Sequence, residues 1–417
     1  MIRQVILANA ILLVQYAVGS LVPLLLLPHI VRTIGLAEYG HLAILMAWGG
    51  YGAIVVQYAF QLTGPKRVAQ LSAGESIANI FIDITFAKIF LLFVVIVITG
   101  ALLFITMPDE LDRSLAWVIL FAMPIAACFN SVWFLQAQDR FLHISLLAVV
   151  GTLVTLFIGF NFVSRNNPHA IDFAVVATVF GQVFVGIGTM ILAFLSTRGM
   201  RWQLNISRSI SSLADGKYLF ISQFISMLYG ASGPIVISYL ADTKAAGAYS
   251  VTERVINALV AAALLTHTAA YPRLASAYTH NKSAYWKMQK FILTGYLSVT
   301  AILAVLVLLV REFVIRFLYG EVSNEYDGLL FFGLAWLMLG IFGTSLTGYL
   351  TVSGRSQEIW PLTLKILMLS VLVGIPGVLL FGGVGWMASL AFSQIIVLQT
   401  GFKHWKREYG NRACGNN

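Results

Sequence analysis

Three cations lie inside apolar stretches of the sequence, where a charged side chain is unfavourable: Lys88, Arg254 and Lys365. Each costs about 2.5–3.5 kcal/mol at the centre of a membrane helix, so each needs polar surroundings or a task. At a rise of about 1.5 Å per residue, Lys88 lies roughly 15 Å into its apolar run and the other two lie roughly 9 Å into theirs. A cation facing a deep aqueous cavity attracts anions. Lys88 is therefore the first candidate for an anion-binding residue.

Each cation also has an explanation that involves no ligand. A side chain at the shallower depth can reach the membrane interface, which applies to Arg254 and Lys365. Lys88 can form a buried pair with Asp83, although a separation of five residues aligns the two side chains poorly on a helix. Arg32, a fourth candidate for substrate binding, ends the first apolar run and can instead anchor a lipid headgroup. Both kinds of explanation stay open.

Two acids share these apolar stretches, Asp83 and Glu253, and both are candidates for ion coupling. Glu253 precedes Arg254, but adjacent residues on a helix point in different directions, so a local pair is not assured. The sequence contains no GxxxxGK[ST], no HExxH and no Cys/His cluster. We therefore expect no P-loop nucleotide site, no metal, no cofactor and no catalytic residue.

The elements that hold these residues are predicted to be membrane helices. The chain has 417 residues, of which 59% are hydrophobic and 10% charged, far from the composition of a soluble domain. Apolar runs of about 20 residues, each able to cross the bilayer, recur along nearly the whole chain. The net charge is +9, but the basic residues lie mostly between these runs and form no continuous patch. We therefore expect no nucleic-acid partner.

Charged, Pro and Gly clusters divide the apolar stretches into twelve predicted spans. The first run is too long for a signal-peptide core and has no convincing cleavage site, so we expect it to remain as a span. The predicted spans lie near residues 5–31, 41–62, 78–105, 114–135, 141–163, 171–195, 218–240, 248–270, 290–310, 328–351, 359–380 and 384–402.

Basic residues predict the orientation of the chain. With both termini on the cytoplasmic side, the inside segments carry 17 Lys and Arg residues and the outside segments carry six. This asymmetry follows the positive-inside rule and predicts a multi-pass membrane protein with both termini in the cytoplasm. The outside connections are short, the longest running over about 311–327, which leaves no room for a folded external domain.

Weak internal similarity predicts two related lobes. LAEYGHL resembles AGAYSVT, GPKRVAQLSA resembles YPRLASAY, and FLQAQDR resembles YLTVSGR, with offsets near 210 residues. Six spans per repeat give both lobes one orientation, and rocking them about a central cavity gives alternating access. The predicted divisions are an N-terminal lobe at 1–195, a basic cytoplasmic linker at 196–217, a C-terminal lobe at 218–402 and a cytoplasmic tail at 403–417.

Several short segments resemble one known family. They are PLLLLPHIVRTIGLAEYG at 23–40, QYAFQLTGPKRVAQ at 57–70, FAKIF at 86–90, VWFLQAQDR at 132–140, SLADGKYLFIS at 212–222, TERVINAL at 252–259 and AYPRLASAY at 270–278. Each is weakly specific alone. In this order, across nearly the whole chain with twelve spans, they resemble the Wzx-type O-antigen flippases of the MOP exporter superfamily, relatives of the MATE transporters and MurJ.

The resemblance implies a function and a set of site residues. It implies a V-shaped pair of six-helix lobes that moves undecaprenyl-pyrophosphate-linked oligosaccharide from the cytoplasmic to the periplasmic leaflet, without making or breaking a bond. Members resemble one another in having a cationic central cavity. Lys88 falls in FAKIF, Arg254 in TERVINAL and Arg32 in the first segment, whereas Lys365 lies in a variable region. The family also implies contact with an O-antigen polymerase and a chain-length regulator.

Two other functions stay open on the sequence alone. A MATE-like cation-coupled drug exporter would favour acids in its cavity, whereas here three embedded cations outnumber Asp83 and Glu253. A membrane oligosaccharide polymerase or ligase would need larger outside loops and would not need a two-fold repeat.

Overall fold

The computed structural model describes residues 18–19, 24–71, 76–106 and 113–414. Every regular element within these residues is helical, and the chain divides into two compact units, Met1–Ala231 and Ser232–Asn417. The prediction of an all-α protein is therefore confirmed. Each unit is built from long apolar helices joined by short turns.

Unit 1 contains nine helices in its described residues. They are α1 Leu24–Ile34, α2 Leu36–Gln57, α3 Phe60–Ala69, α4 Ile77–Thr106, α5 Arg113–Phe129, α6 Val132–Gln136, α7 Phe141–Phe162, α8 Ala170–Ser196 and α9 Ile206–Ala231.

Unit 2 contains seven α-helices and one 3₁₀ turn. They are α10 Gly233–Leu240, α11 Thr243–His280, α12 Lys282–Leu309, α13 Arg311–Tyr319, α14 Asn324–Val352, the 3₁₀ turn Ser356–Glu358, α15 Ile359–Phe381 and α16 Gly383–Cys414.

Nine helical stretches in the described part of the chain are long and apolar enough to cross a membrane, or ten if α9 and α10 form one broken span. The protein is a multi-pass membrane protein. Most predicted spans coincide with these helices to within a few residues. The predicted first span, 5–31, lies largely outside the described residues and overlaps them at residues 18–19 and in α1. The predicted eighth span, 248–270, lies within the longer helix α11.

The predicted fourth span, 114–135, is interrupted in the structure. Helix α5 ends at Phe129 and α6 begins at Val132. Side chains pair with the backbone groups that the break releases: Thr189 Oγ1 accepts from the nitrogen of Ser131 at 3.1 Å, and Asn130 Oδ1 accepts from Val132 at 3.2 Å. Such pairing makes a break tolerable inside a membrane protein. Hydropathy averaged along the sequence does not reveal this break.

The structure also differs from the sequence-based prediction in the middle of the chain. Helix α9 begins at Ile206, inside the predicted linker, and the boundary between the compact units follows Ala231. The start of α9 is amphipathic, with Ser209 and Ser212 buried on one face. A polar helix that packs by such a face resembles a loop when hydropathy is averaged. The cytoplasmic placement of the linker stays a prediction.

The third pair of similar segments adopts the same local geometry in both units. Asp139 and Gly354 occupy corresponding positions, and both have positive φ, 56° and 75°. The next residue in each segment, Arg140 or Arg355, donates its backbone N–H to the carbonyl five residues earlier, at 3.0 and 2.7 Å. Backbone agreement at a conformation that non-glycine residues rarely adopt supports an internal repeat.

Close helix approaches in each unit depend on glycine. In unit 1 the Cα of Gly64 on α3 faces the ring of Trp133 on α6, within the core cluster formed with Phe60, Phe81 and Phe134. In unit 2 a Cβ at residue 385 would meet the backbone of Gly377, so α15 and α16 touch backbone to backbone. Small residues allow membrane helices to approach this closely.

Candidate functional site

Lys88 lies in the interior of unit 1. Its side chain on α4 is 2% exposed, and its Nζ donates to the carbonyl of Asn130 at 2.7 Å. That carbonyl belongs to the break between α5 and α6, where the helical hydrogen-bond ladder is interrupted. The described residues give the ammonium group no carboxylate partner. The break thus supplies one hydrogen-bond acceptor to the Lys88 ammonium group, but no negative charge among the described residues to neutralise it.

Asp83 pairs with Arg208 and not with Lys88. The Asp83 carboxylate is 2% exposed, lies 2.9 Å from Nε of Arg208, and accepts from the backbone nitrogen of Asn205 at 2.9 Å. Both partners belong to the start of α9 or the residues just before it. The buried-pair explanation for Lys88 is therefore wrong, because the chain that follows α8 folds back and supplies the partners of the Asp83 carboxylate.

A second ion pair joins α9 to another helix of unit 1, α3. Arg67 on α3 contacts Asp215 on α9 at 2.7 Å and donates to Ser211 at 3.3 Å. Tyr58, at the turn between α2 and α3, donates its hydroxyl hydrogen to the carbonyl of Leu213 at 3.0 Å. The segments 57–70 and 212–222, both quoted for the family resemblance, therefore meet in space. Segment 212–222 also contains Lys217 and has no net charge, so charge alone did not predict this contact.

Arg32 lies at the exposed end of α1. Its backbone carbonyl accepts from the guanidinium of Arg165 at 2.9 Å, and nearby His29 contacts the carbonyl of Val163 at 2.8 Å. These bonds fasten the end of α1 to the turn that follows α7. Lys88 is buried and Arg32 is exposed, so the structure does not bring these two predicted residues into one site.

The candidates in unit 2 also have different surroundings. Glu253 and Arg254 are partly buried on α11, where the charge of Arg254 acts on the Glu253 carboxylate and Asn257 hydrogen-bonds to it. Lys365 is exposed near the start of α15, the position from which a lysine reaches the interface. No cluster of three or more His, Cys, Asp or Glu residues that could hold a metal occurs among the described residues.

Unit 2 contains a cavity that the sequence did not predict. It has a volume of about 300 Å³ and lies between α12, α14 and α16. Its lining is mostly aromatic and aliphatic. The lining residues are Tyr285, Trp286, Gln289, Leu293, Phe342, Ser345, Leu346, Tyr349, Val397, Leu398, Gly401, Phe402 and His404. They recur at helical spacing on each helix, which is also the spacing of ordinary core residues, so no sequence signal separated a cavity from packing.

Charged side chains lie at one end of this cavity. His404 contacts Arg355 at 3.1 Å through Nδ1 and Glu358 at 3.3 Å through Nε2, and Arg355 and Glu358 approach to 2.7 Å. Burial lowers the pKa of Arg355, but the hydrogen bond and charge of Glu358 outweigh it, so the net pKa lies above its usual value. The arginine therefore stays charged and ties the turn after α14 to α16.

A second cavity in unit 2, of about 630 Å³, is polar. It is lined in part by Asp242, Glu321 and Glu325, and Lys244 contacts Glu321 at 3.4 Å. Asp242 also caps α11 by accepting from the nitrogen of Ala245 at 2.7 Å. Asp242 and Glu321 therefore already have structural partners.

Solved structures of other proteins show the fold class of this chain. The chain is similar to a multidrug resistance MATE family transporter of the MOP superfamily in an inward-facing conformation, with a TM-score of 0.67, 14% identity, and coverage of 98% of this chain and 96% of that one. It is also similar to a MOP superfamily transporter from Pyrococcus furiosus, with a TM-score of 0.66, 15% identity, and coverage of 96% and 95%. The predicted MATE-like fold is confirmed.

The sequence match identifies the family within this class. Residues 6–278 match the model of the family described as "Polysaccharide biosynthesis protein", and the chain belongs to that family. A relative from Escherichia coli, named "Putative O-antigen transporter", is 23% identical over 265 residues. That match covers 63% of this chain and 63% of the relative. The chain therefore matches less than two thirds of that relative's length.

Proposed function

We propose that this protein is a flippase for lipid-linked oligosaccharide. Its substrate would be an undecaprenyl-pyrophosphate-linked O-antigen unit, moved by alternating access from the cytoplasmic to the periplasmic leaflet of the bacterial inner membrane. The observation that carries the proposal is membership of the polysaccharide biosynthesis family on a transporter fold. The name of the relative, an O-antigen transporter, supports the substrate class.

The distribution of basic residues supports the direction and the orientation. The excess of Lys and Arg on one side favours cytoplasmic termini, and the linker and tail would then lie where the lipid-linked unit is made. No chemical bond changes during such a transfer, so we propose that the protein is not an enzyme. Contacts with a polymerase and a chain-length regulator remain part of this proposal.

Lys88 is the residue on which the mechanism depends most. A buried ammonium without a carboxylate is unfavourable, and a diphosphate drawn toward unit 1 would supply the missing counter-charge. Because Lys88 is 2% exposed, it would attract an anion from a distance, and direct contact would require the residues packed around it to move. Arg254, Arg32 and Lys365 are further substrate-binding candidates, and Glu253 remains an ion-coupling candidate.

Asp83 is the second ion-coupling candidate from the sequence. In this conformation its carboxylate is occupied by Arg208 and by the nitrogen of Asn205. A coupling role for Asp83 therefore requires that these contacts break during the transport cycle.

The test is surface O-antigen in a flippase-null bacterium complemented with wild type, Lys88→Ala or Lys88→Arg at matched membrane levels. We expect rescue by wild type, loss with alanine and partial recovery with arginine, which keeps the charge but not the shape of the ammonium. Rescue by all three would remove Lys88 from the mechanism and keep the flippase. Failure of wild type, with several O-antigen types as substrates, would contradict the flippase.

Cation-coupled drug export is a second candidate because the similar solved structures include multidrug MATE transporters. Their identity of 14% supports a common fold and no common substrate. A deletion strain that gains sensitivity to cationic drugs but keeps its surface polysaccharide would favour this candidate. Accumulation of unpolymerised units already facing the periplasm would instead favour a polymerase.

A further inference from the structure

The chain between α8 and α9 lies beside the start of a membrane helix, although it belongs to the predicted cytoplasmic linker. The backbone N–H groups of Gln203 and Asn205 donate to the side-chain oxygens of Asn79 and Asp83, each at 2.9 Å. Both acceptors are on α4, which meets the criteria of a membrane span from Ile77 onward. At a rise of 1.5 Å per residue, Asp83 lies about 9 Å along the helix from Ile77. This part of the chain is therefore held at the level where α4 enters the bilayer.

The turn that precedes it is fixed to the end of α8, a second membrane span. The indole Nε1 of Trp202 donates to the carbonyl of Thr197 at 3.2 Å. The Trp202 ring also packs edge-on against Phe194 of α8, with ring centroids 4.9 Å apart. Tryptophan is common at the membrane–water interface, where its ring is buried and its N–H finds a polar partner. Contacts with α4 and α8 thus fix the α8–α9 segment, defined as residues 197–210.

Four large apolar side chains of the α8–α9 segment are exposed although its backbone is held in place. They are Met200, Leu204, Ile206 and Ile210, with exposed fractions of 44%, 46%, 58% and 61%. All four follow Ser196, the last residue of the α8 span. Burying such side chains is favourable, and the outer part of the acyl layer buries them if the segment lies at the bilayer surface.

Two arginines stand among these apolar side chains. Arg198 and Arg201 are exposed, and neither guanidinium contacts an acid among the residues that the structure describes. The one acid of the predicted linker, Asp215, is paired with Arg67. A guanidinium matches the oxygens of a phosphate, and basic residues beside apolar ones favour the surface of an anionic membrane.

We propose that the α8–α9 segment is a membrane-surface anchor that binds anionic phospholipid. Arg198 and Arg201 bind the headgroup phosphates, and the four apolar side chains enter the adjoining acyl layer. The bilayer surface fits the segment better than an acidic cytosolic protein does, because the contacts with α4 and α8 hold it beside two span ends. In the predicted orientation the lipid belongs to the cytoplasmic leaflet. The anchor is independent of the substrate that the protein carries.

The first part of the test measures the depth of the segment in full-length protein reconstituted into nanodiscs of phosphatidylcholine and phosphatidylglycerol. Leu204→Cys is labelled with the polarity-sensitive fluorophore NBD in a Cys414→Ser background, since Cys128 is buried. Asn166→Cys, in the exposed turn between α7 and α8, is the control for a position in water. We expect nitroxides on lipid acyl chains to quench the label at residue 204, and dissolved iodide to quench the label at residue 166.

The second part measures headgroup selectivity at the same label. We expect phosphatidylglycerol that carries a nitroxide to quench residue 204 about fivefold more effectively than phosphatidylcholine that carries the same nitroxide. Replacing both arginines, Arg198→Gln with Arg201→Gln, should abolish this preference. The matched control is Lys287→Gln with Lys290→Gln, which removes the same charge from exposed positions of α12 and should leave the preference unchanged.

Three results would overturn the proposal. Quenching of residue 204 by iodide and not by acyl nitroxides would show that the segment lies in water, where an acidic protein is the better partner. Equal quenching by the two labelled lipids would show insertion without binding of an anionic headgroup. Equal loss of the preference in the arginine and lysine variants would make the attraction a property of the net charge and not of the α8–α9 segment.

Discussion

Asp83 stabilises unit 1 by holding the start of α9 against α4. We expect Asp83→Asn to lower the free energy of unfolding by about 1–3 kcal/mol, since it leaves Arg208 without its buried counter-charge. Asp215→Asn is the control, because the Asp215 side chain is 63% exposed and its pair with Arg67 contributes about 1 kcal/mol or less. Thermal unfolding of both purified variants is the measurement, and equal losses would contradict the structural role of Asp83.

The individual charges were predicted only in part. The sequence singled out Lys88 and Asp83 because a charge in an apolar run is costly, and both prove to be buried. The partner of Asp83 could not be predicted, since Arg208 lies more than a hundred residues away on a helix that looked like a linker. The acceptor for Lys88 is the backbone carbonyl of Asn130, and every residue has such a carbonyl, so the sequence could not single it out.

The contact between α15 and α16 should tolerate no side chain at its centre. We expect Gly385→Ala to destabilise unit 2 by about 1–3 kcal/mol, because the added methyl group must separate two backbones that touch. Gly295→Ala, in open space on α12, should be neutral or stabilising by about 0.5–1 kcal/mol. Size-exclusion chromatography after graded heating compares the two, and equal stability would show that the helices separate at little cost.

Helix ends were predicted well where the length of an apolar run determines them. They were predicted poorly where side-chain pairing or one buried face determines them. The span predicted at 78–105 appears as Ile77–Thr106, and that at 359–380 appears as Ile359–Phe381. The break after Phe129 and the start of α9 at Ile206 depend on side-chain pairing and on one buried face. Helix α13, Arg311–Tyr319, lies in the outside connection predicted at about 311–327, and its nine residues are too few to be found by a search for membrane spans.

The orientation of the whole chain is testable with reporter fusions. We expect green fluorescent protein at the C-terminus to fluoresce, and alkaline phosphatase fused after Gly320 to be active, because the basic residues favour cytoplasmic termini. A phosphatase fusion after Gly199, in the predicted cytoplasmic linker, is the control and should be inactive. The reverse pattern would contradict the orientation and with it the proposed direction of transport.

The ion pairs of the folded protein have a consequence for its biogenesis. Arg67 and Arg208 count among the basic residues of the predicted cytoplasmic segments, yet after folding they contact Asp215 and Asp83. Positive charge acts while the helices are being inserted, before distant acids have arrived or packed. We therefore expect the same arginines to act first as topological signals during insertion and later as ion-pair partners in the folded protein. Removing an acid should consequently weaken the mature protein while leaving its insertion unchanged.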